Sequence, residues 1–372
     1  MKTYRNYFPV CEKWAFFDHA AVCAPPSVCR DKIAEYSADL SENGIASFLK
    51  WHEQVIAARS TVGRLLNCAA DDICFVGSTT QGIGIVAEGF PWQPGDEVIT
   101  FAEEYPSNQY PWLNLQEKLV NVVNIPSRGN KIAIDDIMKA ITPRTRVLAI
   151  SSVEFGSGFR NDLVTISEIC QKNQIFLFVD AIQSLGVQPI DLQSLPMDAL
   201  AADSHKWLLG PEGAGIFYLK REWVERFHAI GVGWNSVVHP ANFSSIDFRL
   251  KPHAGRFEGG TINVAGILGM AASMNLLLEV GIDSVWDKVN SLTQYFAEKI
   301  ASAGWSVFSA REEPFRSGIV SIDYPGKDLK KVMATCRNEK IIVNVRSDRL
   351  RISPHFYNTI EELDHLIDVL RR

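Results

Sequence analysis

From about residue 70 to residue 220 the chain alternates short apolar runs with segments of helical pattern. Uninterrupted Val, Ile, Leu and Phe runs are typical of strands that are buried on both faces, as in a parallel sheet. The predicted strands are ICFV (73–76), EVITF (97–101), LVNVVNI (119–125), RVLAISSV (146–153), IFLFVD (175–180), ALAAD (199–203) and GAGIFYLK (213–220), the last as a hairpin with the one before it. Strands separated by helices predict an α/β fold with a mainly parallel, seven-stranded sheet.

The pattern changes after about residue 255. Two long helices are predicted at 264–281 and 284–304, and short strands and helices follow them to the C-terminus. This layout predicts a smaller α+β domain. We therefore expect a large domain at 16–255 and a small domain made of 1–15 and 256–372. The tract between them, 231–261, is long and irregular, and such loops are usually functional or interfacial.

Composition narrows the classes of protein that remain. The 372 residues are 47% hydrophobic and carry a formal net charge of −6, which argues against a nucleic-acid partner. No apolar run approaches the roughly 20 residues that a membrane span needs, and the N-terminus does not resemble a secretory signal. Seven scattered cysteines indicate reduced thiols and a cytoplasmic location. No His or Cys spacing is typical of zinc, so no metal site is predicted.

Lys206 lies in ADSHKWLLGPEGAGIFY (201–217), between a histidine and a tryptophan and before small, apolar residues. Such surroundings withdraw an amine from water, which lowers its pKa and lets it form a Schiff base with a carbonyl. Taken alone, the stretch also fits a lysine that reaches solvent from a strand end. Asp180 closes another apolar strand, where it could cap the next helix or pair with a cationic ring nitrogen. Pyridoxal phosphate requires both groups, a Schiff-base lysine and a partner for its pyridinium nitrogen.

A phosphate site is predicted where the strand ICFV leads into GSTTQGIGIVAEG (77–89). Ser78, Thr79 and Thr80 open a helix there. Free backbone N–H groups, hydroxyls and the positive end of the helix dipole favour a phosphate dianion. Read alone, Ser-Thr-Thr also fits an ordinary helix cap.

Seven segments, in order, resemble the class V aminotransferase group of fold-type I pyridoxal-phosphate enzymes, which includes cysteine desulfurases and isopenicillin-N epimerases. The segments cover nearly the whole chain. They are FFDHAA (16–21), STTQGI (78–83), EYPSNQYPW (104–112), VDAIQSLG (179–186), SHKWLLGPEGAG (204–215), RFEGGT (256–261) and RISPHFYNTIEELDHL (351–366).

The resemblance implies the fold, the cofactor pyridoxal 5′-phosphate and a role for each matching residue. Lys206 would form the Schiff base and act as catalytic acid and base, and Arg351 would hold the substrate carboxylate. The expected cofactor-binding residues are Thr79, Thr80, Tyr105, Asp180, Gln183, His205, Lys206 and Thr261. Asp180 would pair with the ring nitrogen, Gln183 with the ring hydroxyl, and the threonines and His205 with the phosphate. Thr261 would serve the site of a neighbouring subunit, which implies a homodimer with shared active sites.

The sequence also departs from the family pattern. Tyr105 stands where a ring-stacking histidine is usual; its ring can stack, but a phenol shuttles protons poorly near neutral pH. Asp203 stands where the desulfurases carry a phosphate-binding serine, a contact that Ser204 would take over. Val153 or Glu154 falls where an asparagine often approaches the ring, and neither receives a role.

The largest departure lies near the C-terminus. Desulfurases place a nucleophilic cysteine on a loop shortly before the arginine, whereas NVRSDRLRIS (344–353) runs almost directly from strand to strand without a cysteine. Cys336 falls on a predicted helix. We therefore do not expect cysteine desulfurase activity. Arg346 and Arg349 fit a solvated basic strand edge.

These observations predict an enzyme that acts on an amino acid or keto acid through a Schiff base with pyridoxal phosphate. A class V aminotransferase is the first interpretation. The alternatives are a C–S or other β-lyase, an amino-acid epimerase, and a non-catalytic binding protein on the same fold. The intact set of Lys206, Asp180 and Arg351 argues against the last.

Overall fold

The computed structural model describes residues 2–372. Its strands are β1 Ala15–Phe16, β2 Ile73–Val76, β3 Glu97–Phe101, β4 Asn121–Ile125, β5 Thr145–Ser151, β6 Phe176–Asp180, β7 Ala199–Asp203, β8 Gly215–Leu219, β9 Ser306–Val307, β10 Val320–Asp323, β11 Ile341–Ile342, β12 Asn344–Arg346 and β13 Arg349–Ile352. Its α-helices are α1 Ser27–Asn43, α2 Phe48–Leu66, α3 Thr79–Gly89, α4 Tyr110–Leu113, α5 Ile134–Ala140, α6 Leu163–Lys172, α7 Arg221–Val224, α8 Val264–Val280, α9 Ile282–Ser302, α10 Leu329–Asn338 and α11 Ile360–Arg371.

Strands β2 to β8 form one seven-stranded sheet in the order β2-β8-β7-β6-β5-β3-β4. The pairs from β4 across to β7 are parallel, and β8 runs antiparallel to both of its neighbours, β2 and β7. The predicted mainly parallel sheet and the β7–β8 hairpin are both confirmed, and β2 forms the edge of the sheet beyond β8. The predicted strand bounds agree with those of β2, β3 and β7, because a fully buried strand reads as an unbroken apolar run.

Side chains alternate between the two faces of this sheet, and each face has its own core. Along β5, Leu148 and Ile150 pack with helices α2, α6 and α8, whereas Val147 and Ala149 pack with α3 and α4. Layers of helix on both faces cover the sheet completely. The ends of its parallel strands are therefore the place where polar side chains meet an opening.

A second sheet and a third core lie towards the C-terminus. Four antiparallel strands in the order β12-β13-β10-β9 pack with α9, α10 and α11. The short strand β1 pairs parallel with β11, which ties the N-terminal segment to this region. The predicted α+β layout is therefore present. The division into 16–255 and 1–15 with 256–372 stays a prediction, and its first residue lies outside the described part of the chain.

Local signals explain how several of these helices begin. Asp162 caps α6 by accepting the backbone N–H of Thr165, and Asn263 caps α8 by accepting that of Gly266. Thr359 and Glu362 form a reciprocal capping box at the start of α11. Each cap satisfies backbone donors that the first turn of a helix leaves free.

Within residues 2–372, no single helix is both long enough and apolar enough to cross a membrane. Helices α8 and α9 satisfy the criteria of length and composition only as a pair, and a bend of 81° separates them. The cytoplasmic location stays a prediction.

Candidate active site

A cavity of about 330 Å³ lies at the carboxyl ends of β6 and β7. It brings together eight of the nine residues that the sequence predicts for the site: Thr79, Thr80, Tyr105, Asp180, Gln183, His205, Lys206 and Arg351. The remaining lining residues were not predicted as site residues: Ala20, Ala21, Val22, Ser78, Ser107, Ser151, Phe155, Ile182, Asp203 and Arg346. Thr261 lies elsewhere.

Lys206 lies in the turn that joins β7 to β8, three residues beyond the end of β7. Its surroundings lower the pKa of the amine to about 8. Burial is the largest cause, and the positive charge of Arg351 acts in the same direction, while the Asp180 carboxylate opposes both. The Nζ atom lies 5.7 Å from the centre of the Tyr105 ring. An amine with such a pKa is partly neutral near neutral pH and is therefore a nucleophile.

Asp180 is the last residue of β6 and is buried. Burial raises the pKa of its carboxyl to about 6, although the backbone N–H of Ile182 donates to Oδ1 at 3.0 Å and Lys206 lies near. A buried carboxylate at the floor of an open cavity favours a cationic partner there. The hydrogen bond from Ile182 also gives Asp180 a local turn-forming role, and both roles fit together.

Gln183 connects three parts of the chain beneath the cavity. Its Oε1 accepts a hydrogen bond from Trp207 Nε1 at 3.0 Å, and its Nε2 donates to the Ala20 carbonyl at 3.1 Å. These contacts fix the amide plane and the lysine turn together. One amide hydrogen of Gln183 remains for a group in the cavity.

The N-terminus of α3 faces the same cavity. Ser78 caps the helix by accepting the N–H of Gln81 at 3.1 Å, and Thr79 Oγ1 accepts the N–H of Asp203 at 2.9 Å. Thr80 Oγ1 donates to Ser107 Oγ at 2.9 Å. The N–H groups of the first helical turn have no intrahelical acceptor, so they and the exposed Thr80 hydroxyl form a site for an anion.

Asp203 and His205 stand next to this anion site. Asp203 accepts the Ser204 N–H at 2.7 Å through Oδ1, and its Oδ2 lies 3.2 Å from His205 Nδ1 without hydrogen-bond geometry. Ser204 is fully buried, and its hydroxyl donates to the Pro211 carbonyl at 2.6 Å. The expectation that Ser204 takes over a phosphate contact is therefore wrong. The side chain beside the anion site is that of Asp203.

Tyr105 and Phe155 form an aromatic wall of the cavity. Their ring centres lie 5.2 Å apart in an edge-to-face arrangement, and Tyr105 is 47% exposed. Phe155, rather than Val153 or Glu154, is the residue of this segment that lines the cavity. The exposed Tyr105 ring leaves one face free for a planar ligand to stack on.

Two buried glutamates lie behind this wall. Glu104 accepts hydrogen bonds from the Ser151 N–H and hydroxyl, and Glu154 Oε1 accepts from Asn161 Nδ2 at 2.8 Å. Glu154 Oε2 has no partner within the described residues. Burial raises the pKa of Glu104 to about 7, and burial together with Glu104 raises the pKa of Glu154 well above its ordinary value. Both carboxyls therefore keep their protons to higher pH than an ordinary glutamate does.

Two arginines of the β12–β13 hairpin reach the cavity. Arg351 is buried, donates from Nη1 to the Phe155 carbonyl at 2.8 Å, and lies 3.5 Å from Asp18 Oδ1, while its Nε has no partner within residues 2–372. Arg346 lines the cavity as well. The expectation that Arg346 belongs to a solvated edge is therefore wrong. The tight turn at Ser347 and Asp348 connects β12 directly to β13. It places Arg346 and Arg351 on the hairpin face that borders the cavity.

Thr261 is exposed and lies outside the cavity. It borders two surface grooves, one of about 240 Å³ with Gly77 and Gln81, and one of about 460 Å³ with Phe48 and Trp234. It therefore takes no part in the site of its own chain.

The sequence profile described as Aminotransferase class-V matches residues 15–366. The chain belongs to this family. It is 28% identical to a probable cysteine desulfurase of Borreliella burgdorferi, over 100% of this chain and 96% of that protein. It is 26% identical to the uncharacterized aminotransferase YcbU of Bacillus subtilis, over 98% of this chain and 96% of that one.

Solved structures agree with the fold. The cysteine desulfurase CsdA of Escherichia coli superposes with a TM-score of 0.90 at 25% identity, over 100% of this chain and 97% of that one. A C-DES variant with glycine covalently linked to its pyridoxal phosphate superposes with a TM-score of 0.92 at 21% identity, over 98% of each chain. This protein is a pyridoxal-phosphate-dependent enzyme of fold type I.

The residues of the cavity fit that cofactor on their own chemistry. Lys206 offers an amine of lowered pKa, Asp180 a buried carboxyl, and α3 the free N–H groups of a helix end. Tyr105 offers an exposed ring face beside Lys206. The carboxylate of Asp203 opposes a phosphate at this place, and the His205 ring lies beside it, with 3.2 Å between Nδ1 and Asp203 Oδ2.

Proposed function

We propose that this class V enzyme transfers the amino group of an amino acid to a keto acid. The observation that carries the proposal is the convergence of Lys206, Asp180 and Arg351 on one cavity. An amine base, a buried carboxyl and a guanidinium are the groups that such a reaction needs from the protein. A non-catalytic binding protein on the same fold would not need Lys206, Asp180 and Arg351 in one cavity.

Pyridoxal phosphate, when bound, supplies an electron sink that stabilises negative charge at the substrate α-carbon. Asp180 would hold a proton at the ring nitrogen, and the first turn of α3 with Thr80 would hold the phosphate. Lys206 Nζ would take the proton from the substrate α-carbon and deliver it to the carbon that carries the aldehyde group in the free cofactor. Arg351 would orient the α-carboxylate through a fork of two N–H groups. Tyr105 and Phe155 would keep water from the reacting atoms.

The arrangement of bases favours aminotransfer over epimerisation. Lys206 is the one lysine in the cavity lining within residues 2–372. Epimerisation needs proton donors on opposite faces of the substrate carbon, and the residue at the stacking position is Tyr105 rather than a histidine. Elimination also begins with proton removal by one base. Analysis of the reaction products is therefore needed to distinguish elimination from aminotransfer.

The thiols argue against persulfide chemistry. No cysteine lines the cavity among the described residues. Cys23 is buried and donates to the Gly210 carbonyl, and Cys336 is buried in the core of α10 and α11. Burial raises the pKa of both thiols, that of Cys336 to about 11. A nucleophilic thiolate that reaches the substrate is therefore missing, although several relatives are named cysteine desulfurases.

The test is a product analysis of the cofactor-loaded enzyme with an amino acid and a keto acid together. Aminotransfer predicts a new amino acid and a new keto acid in equal amounts, and an absorbance change with amino acid alone that added keto acid reverses. Ammonia released without an acceptor would mean elimination, and a racemised amino acid would mean epimerisation; either would overturn the proposal. Lys206→Ala is the control for uncatalysed exchange.

We also propose a homodimer in which Thr261 serves the partner's site. Exposed apolar side chains surround Thr261: Ile45, Phe48, Ile56 and Trp234 line the larger groove beside it. Four further large apolar residues of the 231–261 tract are exposed, namely Val232, Phe243, Ile246 and Phe248. Apolar patches of this extent are typical of a surface that another chain covers. A second copy fits because Thr261 has no task in its own cavity.

A further inference from the structure

The β12–β13 hairpin sorts its side chains by polarity. Its register pairs Asn344 with Arg351 and Arg346 with Arg349. Residues directly opposite in an antiparallel pair point to the same face, as do residues two apart along a strand. These four polar residues therefore share one face. The opposite face carries the apolar residues Val345, Leu350 and Ile352, which pack into the third core.

Two of the three arginines on the polar face are paired with a carboxylate. Arg351 lies against Asp18, whose other oxygen accepts from Asn344 Nδ2 at 2.6 Å. Arg349 donates from Nε to Asp323 at 2.8 Å, and its guanidinium lies 3.4 Å from the centre of the Phe308 ring. Arg349 lines a different cavity from that of the cofactor site.

Arg346 has no such partner. Its Nη1 donates to Asn344 Oδ1 at 3.0 Å and to the Val345 carbonyl at 2.9 Å, and it forms no ion pair with a carboxylate of residues 2–372. It is half-buried and lines the cofactor cavity together with Lys206 and Arg351. A guanidinium presented to a cavity beside two other cationic groups is stabilised when a further anion enters.

The roles that the family resemblance implies for this cavity do not require the positive charge of Arg346. The α-carboxylate is assigned to Arg351 and the phosphate to the first turn of α3. The backbones of Arg346 and Arg351 are diagonal neighbours in the hairpin, which places their Cα atoms about 7–8 Å apart. Two arginines that start from neighbouring backbone positions and line one cavity can each bind a carboxylate of the same small molecule.

We propose that Arg346 binds a carboxylate on the substrate side chain, and that the substrate is therefore a dicarboxylic amino acid. The proposal rests on the aminotransfer function above, since it names the substrate class of that site. Arg351 receives the α-carboxylate, and Arg346 receives the distal one. An amino acid with an uncharged side chain leaves Arg346 without an anion and binds more weakly.

The experiment measures the binding of two unreactive probes to the cofactor-loaded protein by calorimetry. Glutarate has two carboxylates, and butyrate has one. We expect glutarate to bind the wild-type protein about 10–100-fold more tightly, the range for one additional charge-assisted contact. Arg346→Gln should remove this preference and leave the affinity for butyrate nearly unchanged. Arg351→Lys should weaken both probes, because an ammonium cannot form the fork.

Arg349→Gln is the matched control, since Arg349 occupies the same hairpin face and lies outside the cofactor cavity. It should keep the preference for glutarate. Equal binding of the two probes by the wild-type protein would overturn the proposal, as would an Arg346→Gln variant that loses affinity for both equally. The absorbance of the lysine-linked cofactor is recorded first. Its absence would refute the proposed function, whereas its presence without a preference for glutarate would refute only the assignment of Arg346.

Discussion

At the scale of single residues, opposite shifts of two pKa values prepare the site. Burial lowers the pKa of Lys206 to about 8 and raises that of Asp180 to about 6, so the two groups approach each other in proton affinity. Each also stabilises the charged form of the other. A base that titrates near the pH of its surroundings transfers protons most effectively, and a pKa of about 8 would suit the role proposed for Lys206.

The first prediction concerns the titration of Lys206 in the cofactor-free protein. Labelling of Lys206 by an amine-specific reagent should rise with pH around a midpoint near pH 8, because only the neutral amine reacts. Asp180→Asn should move this midpoint to lower pH, since the Asp180 carboxylate stabilises the ammonium form. Mass spectrometry of the labelled peptide gives the curve, and Lys206→Ala gives the background. A midpoint near that of an ordinary lysine, about 10.4, would contradict the assignment.

The second prediction concerns Glu154, whose Oε2 is buried and has no partner among residues 2–372. Burial raises the pKa of the Glu154 carboxyl in the folded state. The contribution of the protonated carboxyl to the free energy of unfolding is therefore full below the pKa of the unfolded chain, about 4.3. It is lost as the pH rises towards the folded pKa. Glu154→Gln removes this loss and keeps an acceptor for Asn161. Denaturant unfolding at pH 8 should show the variant about 1–3 kcal/mol more stable than the wild type, with a smaller gain at pH 5.

Glu117→Gln is the control for this experiment, because Glu117 is an exposed glutamate on another segment. It should leave stability unchanged at both values of pH. Loss of stability in Glu154→Gln at pH 8 would show that the buried carboxylate is compensated in the folded protein.

At the scale of elements, α3 carries the anion site, and the way the helix packs against the sheet decides where its N-terminus points. Gly82 makes this close packing possible. A Cβ atom at Gly82 would lie 2.6 Å from the Cβ of Ala201 in β7 and 3.3 Å from the Phe217 ring in β8. The helix therefore approaches the sheet more closely than any other residue at this position would permit.

The third prediction compares two glycines of this helix. Gly82→Ala should displace α3, lower the free energy of unfolding by about 1–3 kcal/mol and weaken the binding of pyridoxal phosphate. Gly84→Ala is the matched control, because a Cβ there meets nothing within 4 Å and alanine is the better helix former by up to about 1 kcal/mol. Equal stability and equal cofactor affinity in the two variants would contradict the role of Gly82.

The elements themselves were largely predictable from the sequence. Buried strands such as Glu97–Phe101 and Ala199–Asp203 read as unbroken apolar runs, and the helix Leu163–Lys172 showed a regular apolar stripe. Lys206 was placed on a strand end but lies in the following turn. The register of the β12–β13 hairpin was not recognised, although N-V-R and R-L-R alternate with a period of two, and Arg346 was misjudged for that reason.

At the scale of the whole molecule, the site combines side chains that lie far apart in sequence. Motif resemblance identified Lys206, Asp180 and Arg351 because each stands within a recognisable segment. It missed Ser107 and Phe155, whose positions follow from how the chain folds around the cavity. Ser204 was expected to replace Asp203 at the phosphate, but its side chain is buried, and no sequence signal shows which of two neighbouring side chains faces the ligand.

The fourth prediction concerns the shared site of the proposed homodimer. Light scattering should give twice the mass of the chain. In a purified mixed dimer of Lys206→Ala and Thr261→Ala subunits, one site keeps both its own Lys206 and the partner's Thr261. That dimer should recover about half of the wild-type activity, while each single variant alone stays weak. A monomer, or a mixed dimer without recovery, would refute the shared site.

The assignment of Lys206 as the residue that holds pyridoxal phosphate covalently can be tested on the protein itself. The most direct measurement is borohydride reduction of the cofactor-loaded enzyme, followed by digestion and mass spectrometry of the peptides. We expect a pyridoxyl group on the peptide that contains Lys206, and its loss in a folded Lys206→Ala variant. A pyridoxyl group on another lysine, or a reducible cofactor adduct that persists in Lys206→Ala, would contradict it.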